Sequence, residues 1–171
     1  MPRGGKRPGA GRKPKPLADK LAAGNPGHRP LSVVEFGGSP DRPKPPEYLT
    51  LMVKHNLPIP SAVDFFNRTL DWLEPTGCMY LVPPENIANH ALAKYFLTEA
   101  AYALNGTGMV GKNEKGIGVV SGFAKAFFEA LKITTQSWDA IYQVVAQNCV
   151  KRVEDPEKDW LKGMLTATAR K

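Results

Sequence analysis

Lysine and arginine side chains are concentrated at the start of the chain, and they are the residues whose chemistry is simplest to assign. Residues 1–46 hold ten of these cations against three acids, whereas residues 47–171 carry equal numbers of both signs. A segment with this balance attracts polyanions, because each cation that meets a phosphate releases a condensed counterion. The predicted phosphate contacts are Arg12, Lys13, Lys15 and Arg29 first, followed by Arg3, Lys6, Arg7 and Lys20.

The same segment is rich in residues that oppose regular structure. It contains ten of the sixteen prolines and eight of the sixteen glycines, so helices and strand ladders cannot propagate through it. We therefore expect residues 1–46 to be a largely disordered arm and linker, with one marginal helix over 17–23. Cations spaced by glycine and proline can follow a phosphate backbone or enter a minor groove, which favours nucleic-acid binding. A solubilising tail is the simpler alternative.

A glycine-rich stretch, GTGMVGKN over 106–113, matches two nucleotide-binding patterns, GxGxxG and GxxxxGK. A phosphate loop needs a strand before it and a helix N-terminus after it, so that backbone N–H groups converge on the phosphates. Here a predicted helix precedes the stretch, more glycines follow it, and Asn113 replaces the hydroxyl residue that would hold magnesium. No nucleophile stands beside a base, and no carboxylate pair suggests acid–base chemistry. The sequence therefore predicts a protein that is not an enzyme and has no cofactor.

The cysteines and histidines give no metal-binding or disulfide pattern. Cys78 and Cys149 are far apart without a CxxC pair, which fits a reducing compartment. The three histidines lack metal-ligand spacing, and His90 is expected on the polar side of a helix. The N-terminus has no apolar signal region, and no apolar run is long enough to span a membrane. We expect a cytoplasmic protein without a metal site.

Apolar residues recur at helical spacing after residue 46, and no convincing strand pattern appears. We expect an all-α fold, with a compact helical domain of about four to five helices over 47–154 and a short C-terminal helix and tail over 155–171. Ser61 with Asp64 forms a capping-box pattern, and prolines open the longest helix. The predicted helices cover 48–55, 61–74, 83–105, 119–132, from Thr134 or Thr135 to about 149, and from Asp155 onward.

The apolar faces of these helices are broad for so small a body, which indicates that part of this surface is covered by another subunit. The predicted oligomerisation residues are Tyr95, Phe96, Tyr102, Phe123 and Phe127. Trp160, Leu161 and Met164 of the last helix are assigned to docking on a partner. Packing in the core of a single copy is the alternative for both sets.

Several motifs resemble those of the small terminase subunits of tailed bacteriophages. The arm carries GRKPKP over 11–16 and GNPGHRPL over 24–31, which match the start of that family nearly word for word. The overlapping RPGAGR over 7–12 resembles a motif that is frequent in phage DNA-handling proteins. The stretch AKAFFEALKITTQS over 124–137 resembles the family's late helix running into a Gly-Leu-Thr-Pro-Ser turn, with Lys132 and Thr135 in place of the glycine and proline. The stretch over 77–105 agrees in helix layout alone.

This resemblance implies a non-catalytic subunit for packaging the viral genome in the cytoplasm of an infected bacterium. Such proteins bind double-stranded viral DNA at the packaging start site, form rings of several copies, and recruit and regulate the large terminase subunit. A small phage or plasmid transcriptional regulator is the alternative. Such a regulator would carry a helix-turn-helix with a polar, arginine-rich second helix, whereas the predicted helices here are apolar.

Overall fold

The computed structural model describes residues 15–28, 30–31, 41–51, 57–112 and 114–157. These residues form five α-helices and one antiparallel pair of short strands, which confirms the prediction of a mainly helical protein. The elements are α1 (Leu17–Ala22), α2 (Glu47–Leu51), α3 (Ala62–Leu73), α4 (Pro84–Thr107), β1 (Val110–Lys112), β2 (Gly118–Val120) and α5 (Gly122–Asn148). Two short 3-10 turns, Glu74–Thr76 and Met79–Leu81, connect α3 to α4.

The start of α3 is fixed by local hydrogen bonds that the sequence pattern predicts. The Ser61 hydroxyl accepts from the Asp64 backbone N–H at 3.2 Å, and the Ser61 N–H donates to the Asp64 carboxylate at 2.8 Å. This reciprocal capping box satisfies two backbone donors that the first turn leaves free. The Ser61 hydroxyl also donates to the Asp64 carboxylate at 2.8 Å, and this bond, followed by the one from the Ser61 N–H, holds the pKa of Asp64 below its ordinary value.

Helices α4 and α5 pack side by side along most of their length, and α3 packs on α4 to complete the core. Because the strand pair connects them, α4 and α5 run antiparallel. The fully buried side chains at the centre of the core include Phe66 and Leu70 of α3, Ile87 of α4 and Ile141 and Val145 of α5. Burying a side chain of this kind stabilises the fold by about 1.5–3 kcal/mol.

The C-terminal half of the helical body differs from the sequence prediction, because one continuous helix replaces the two predicted helices. The predicted caps Thr134 and Thr135 lie inside α5, where their hydroxyls donate to the carbonyls of Ala130 and Leu131 at 2.8 and 2.9 Å. A threonine hydroxyl can cap a helix or bond back to the preceding turn, so its position alone does not mark a helix start. The observed cap of α5 is Ser121, whose hydroxyl accepts from the Ala124 N–H.

The prediction that strands are absent is wrong for the connection between α4 and α5. In this connection Val110 pairs with Val120 and Lys112 pairs with Gly118, in an antiparallel register. Three residues per strand are too few to produce a visible alternation of polar and apolar residues. The β-branched valines nevertheless favour extended backbone, and Gly116 supplies a positive φ of 73° between the strands.

His90 lies in the core. The sequence analysis had placed it on the polar side of its helix, and that prediction is wrong. Only 1% of the residue is exposed, and its ring packs 5.3 Å from that of Trp138. Its Nδ1 lies 3.0 Å from the Ser137 hydroxyl, which donates in turn to the Thr134 carbonyl. Burial, together with the nearby charge of Lys94, lowers the pKa of His90 to about 3.

We expect the stability of the protein to fall between pH 7 and pH 5 because of His90. The unfolded chain takes up the proton near pH 6.5 whereas the folded chain resists it down to about pH 3, so stability decreases as the pH falls through this window. The free energy of unfolding should decrease by about 2 kcal/mol at pH 5. Urea unfolding at both pH values measures this loss, and His90→Gln should remove it. Parallel pH dependence in the two proteins would contradict the assignment.

Candidate nucleic-acid interface and assembly surface

The candidate DNA-binding cations fall into two groups with respect to the structure. Lys15 is exposed and Lys20, on α1, is half-buried. The remaining six lie outside the described residues, as does most of the segment expected to be disordered; they are Arg3, Lys6, Arg7, Arg12, Lys13 and Arg29. The structure therefore locates the point at which the cationic segment joins the body.

That junction is helix α1. Its bounds, Leu17–Ala22, confirm the short helix predicted over 17–23. Leu17 is buried, and α1 contacts α5, so the helix is docked on the body. Short helices are marginal in isolation, and burial of one face is what stabilises them. Asn25 and His28 follow the helix with positive φ angles, as residues do where a chain turns sharply. The arm thus leaves the body from a fixed position beside α5.

Arg42 provides a second attachment between the arm and the body, and sequence reasoning missed it. Its guanidinium donates to the Asp71 carboxylate at 2.7 Å, to the Asn67 carbonyl at 3.1 Å and to the Glu74 carboxylate at 3.4 Å. Two exposed acids at the end of α3 were the only signal, and their partner is about thirty residues away in sequence. Because two carboxylates share this charge, Arg42 does not belong with the candidate phosphate contacts.

One end of the α4–α5 pair exposes an unusual amount of apolar surface, which we call the apolar tip. It comprises the strand pair and the neighbouring halves of both helices. Its members are between 42% and 67% exposed, and they are Phe96, Tyr102, Met109, Val110, Ile117, Val119, Val120, Phe123, Phe128 and Ile133. Scattered exposed apolar residues are common in monomers, but so many at one end of a helix pair, three of them lining one groove, are typical of an interaction surface.

Within the apolar tip, α4 and α5 enclose an open groove of about 550 Å³. Alanines on both helices leave space between larger side chains, so the groove admits an apolar side chain from outside. Glu99 supplies a carboxylate at the groove, and the other lining residues are Leu57, Phe96, Ala100, Tyr102, Ala103, Phe123, Ala126 and Ala130. Such a lining favours protein contact over recognition of a charged small molecule.

The structure separates the predicted oligomerisation residues by their exposure. Phe96, Tyr102 and Phe123 belong to the apolar tip, and Phe127 is half-buried beside it. The assignment of Tyr95 to oligomerisation is corrected, because this residue is only 5% exposed and belongs to the core cluster. Successive helical residues point about 100° apart, so neighbours in sequence can lie on different faces. Spacing alone did not establish which of these aromatics faced inward.

The residues assigned to partner docking, Trp160, Leu161 and Met164, lie outside the described residues. The chain that leads to them is attached to α4 and α5. Trp138 donates to the Asp155 carboxylate at 2.8 Å, Tyr142 donates to the Val153 carbonyl at 3.1 Å, and Lys94 forms an ion pair with Glu157. The contacts of Asp155 and Glu157 cross the predicted boundary between 154 and 155. Asp155 also accepts from the Glu157 N–H at 3.1 Å, as a helix cap does.

The glycine-rich stretch over 106–113 lacks the geometry of a phosphate loop. It begins at the end of α4, and its Gly111 and Lys112 lie in β1, paired with β2. The next helix begins only at Gly122, so its N-terminal N–H groups do not follow the stretch directly.

Two further findings bear on the kind of site present. Among the residues that the structure describes, no group of three or more histidine, cysteine, aspartate or glutamate side chains is arranged to hold a metal ion. None of the described helices combines the length and apolar character needed to cross a membrane.

No protein-family model, curated protein or solved structure matches the chain.

Proposed function

We propose that this chain is a small terminase subunit of a tailed bacteriophage. In this role it binds double-stranded viral DNA at the packaging start site, in the host cytoplasm, and recruits and regulates the large terminase subunit without catalysing a reaction itself. The observation that carries the proposal is the separation of a strongly cationic arm from a helical body with an apolar tip. The family-like motifs of the arm, GRKPKP and GNPGHRPL, give this division its biological interpretation.

The arm supplies affinity for DNA through its charge. If each arm neutralises about five phosphates, its affinity should fall by roughly 10²–10³ between 50 and 200 mM salt. Several arms on one assembly bind far more tightly than one arm does, because each bound arm raises the effective concentration of the next. Docked α1 and the Arg42 contacts hold the root of each arm on the body, so all copies present their arms at equivalent positions.

The apolar tip supplies the contact between copies. A surface of this kind costs free energy when it faces water, and burial against an identical copy removes that cost. Head-to-tail contacts between different patches of each copy generate a ring if the rotation closes, and we propose this arrangement here. Residues 150–157 then leave the body next to Lys94, and they lead to Trp160, Leu161 and Met164, which we assign to docking on the large subunit.

Two measurements on the full-length chain test the proposal together. Native mass spectrometry should find a closed assembly of several copies, and titration of labelled double-stranded DNA should give a logarithmic salt slope of about −4 to −5 for each engaged arm. A monomer at micromolar concentration would overturn the assembly, and salt-independent binding would overturn the role of the arm. A dimer on one short palindromic site would indicate a transcriptional regulator instead.

A further inference from the structure

The fold brings the two cysteines of the chain together at one end of the helical body. Cys78 follows Gly77, which has a positive φ of 68°, in the connection between α3 and α4. Cys149 is the C-terminal cap of α5. The two residues are neighbours in space, because both line the same pocket and both hydrogen-bond to Thr76. Nothing in their sequence spacing predicted this proximity.

Thr76 lies between the two cysteines and fixes both. Its side-chain oxygen accepts from the Cys78 backbone N–H at 3.1 Å, and its carbonyl oxygen lies 3.7 Å from Cys149 Sγ. The Thr76 hydroxyl donates in turn to the Leu73 carbonyl at 2.6 Å, which ties this contact to the end of α3. Thr76 therefore fixes the backbone of Cys78 and the sulfur of Cys149 beside each other.

An open pocket of about 590 Å³ lies against this pair. Trp72 lines it together with both cysteines, and Lys151 and Arg152 contribute exposed cations. Cys149 is half-buried in the wall of the pocket, whereas Cys78 is 4% exposed. A reagent that enters from solvent therefore meets Cys149 first. Glu154 also lines the pocket, and two cations against this one carboxylate favour a reagent with negative charge.

We propose that Cys78 and Cys149 form a reactive dithiol, which a small anionic disulfide of the glutathione type oxidises to an intrachain disulfide. The Cys149 thiolate attacks one sulfur of the reagent, forms a mixed disulfide and expels the first thiolate. Cys78 then loses its proton to solvent and attacks Cys149 Sγ, which expels the second. Two protein thiols become one disulfide, and one reagent disulfide becomes two thiols.

The order of the two steps follows from the surroundings of each thiol. Burial raises the pKa of the Cys78 thiol, and the neighbouring Cys149 raises it further. Because the thiolate is the nucleophile, Cys78 reacts slowly with a reagent that arrives from solvent. The proximity of Cys149 compensates for this weakness, because the second step is intramolecular. The product would tie the end of α5, and residues 150–157 after it, to the connection between α3 and α4. This inference does not depend on the proposed role in DNA packaging.

Intact-mass measurement of the full-length, reduced protein exposed to oxidised glutathione tests the proposal. The wild type should lose two hydrogens and keep no adduct, and peptide mapping should find Cys78 joined to Cys149. Cys78→Ser should stop at one glutathionyl group, on Cys149. Cys149→Ser should react at least about tenfold more slowly than Cys78→Ser, because its remaining thiol is buried.

Further measurements keep the proposal falsifiable if a variant folds poorly. Oxidised wild type should melt about 5 °C or more above reduced wild type, because the crosslink closes a loop of about seventy residues. Lys151→Gln with Arg152→Gln should slow the first step severalfold. Stable adducts on both cysteines of the folded wild type, disulfides between copies, or an unchanged reduced mass would each overturn the intrachain disulfide.

Discussion

A chain that begins at Lys15 is expected to bind double-stranded DNA about 100-fold or more weakly than the full-length chain at roughly 100 mM salt. The truncation removes five cations, Arg3, Lys6, Arg7, Arg12 and Lys13, and no acid. It keeps Leu17 and Arg42, so the docked helix and the ion pairs of the arm with the body stay intact. The logarithmic salt slope should shrink by about 4 to 5 for each engaged arm. Titration of both proteins over a range of salt concentrations measures the two effects together.

A charge-matched pair of variants separates the arm from the net charge of the whole protein. Arg12→Gln with Lys13→Gln removes two charges from the arm, and Lys151→Gln with Arg152→Gln removes two exposed charges from the body. If the arm is the DNA contact, the first pair lowers affinity by a factor of ten or more and the second changes it little. Equal losses would mean that DNA responds to overall charge, and the arm would lose its assigned role.

The features predicted correctly from the sequence are those fixed by neighbouring residues. The start of α3 depends on Ser61 and Asp64, which are three positions apart, and the start of α4 depends on the adjacent prolines 83 and 84. Local hydrogen bonds and the restricted φ of proline act wherever the chain is placed, so they can be inferred without the fold. The charge separation between arm and body is likewise a property of composition.

The features that sequence reasoning missed depend on contacts between distant segments. His90 is buried because Ser137, on the next helix, satisfies its Nδ1, and periodicity cannot identify such a partner. The two cysteines become neighbours only because the end of α5 packs against the connection after α3, and the sequence does not specify that packing. Tyr95 and Phe96 were both predicted to lie in the contact between copies, but the packing of α3 and α5 around α4 buries only Tyr95.

The break predicted inside α5 has a different cause, since the local signal was ambiguous. Thr134 and Thr135 are good helix caps, yet the apolar spacing continues through Thr134 to Trp138 without a shift of face. Burial of Thr134 and Trp138 against α4 decides in favour of the continuous helix. The result matters for function, because one long helix carries one wall of the groove of the apolar tip and, at its opposite end, Cys149.

The second large effect concerns assembly, and it is expected from lysines placed in the groove of the apolar tip. Tyr102 and Phe123 line the groove from α4 and α5, and each is about half exposed. Because neither residue belongs to the core, Tyr102→Lys and Phe123→Lys should leave the helical content and the cooperative unfolding unchanged. In an interface between copies, each substitution would lose about 1 kcal/mol of apolar burial, since half of each side chain is already covered in a single copy, and would add a charge that must be desolvated.

Because each 1.4 kcal/mol changes an equilibrium tenfold, either substitution should weaken each contact between copies by about 10- to 100-fold, and the double variant should be monomeric at micromolar concentration. Light scattering and native mass spectrometry measure the number of copies in the assembly.

Tyr48→Lys is the matched control, since Tyr48 is a similarly exposed aromatic on α2 and does not line the groove. If the double variant kept the wild-type mass, the groove would lie outside the interface. If Tyr48→Lys dissociated equally, the contact between copies would not be specific to the apolar tip. A monomeric double variant that keeps its arms should still bind DNA with the salt slope of one arm, which separates the contribution of assembly from that of the arm.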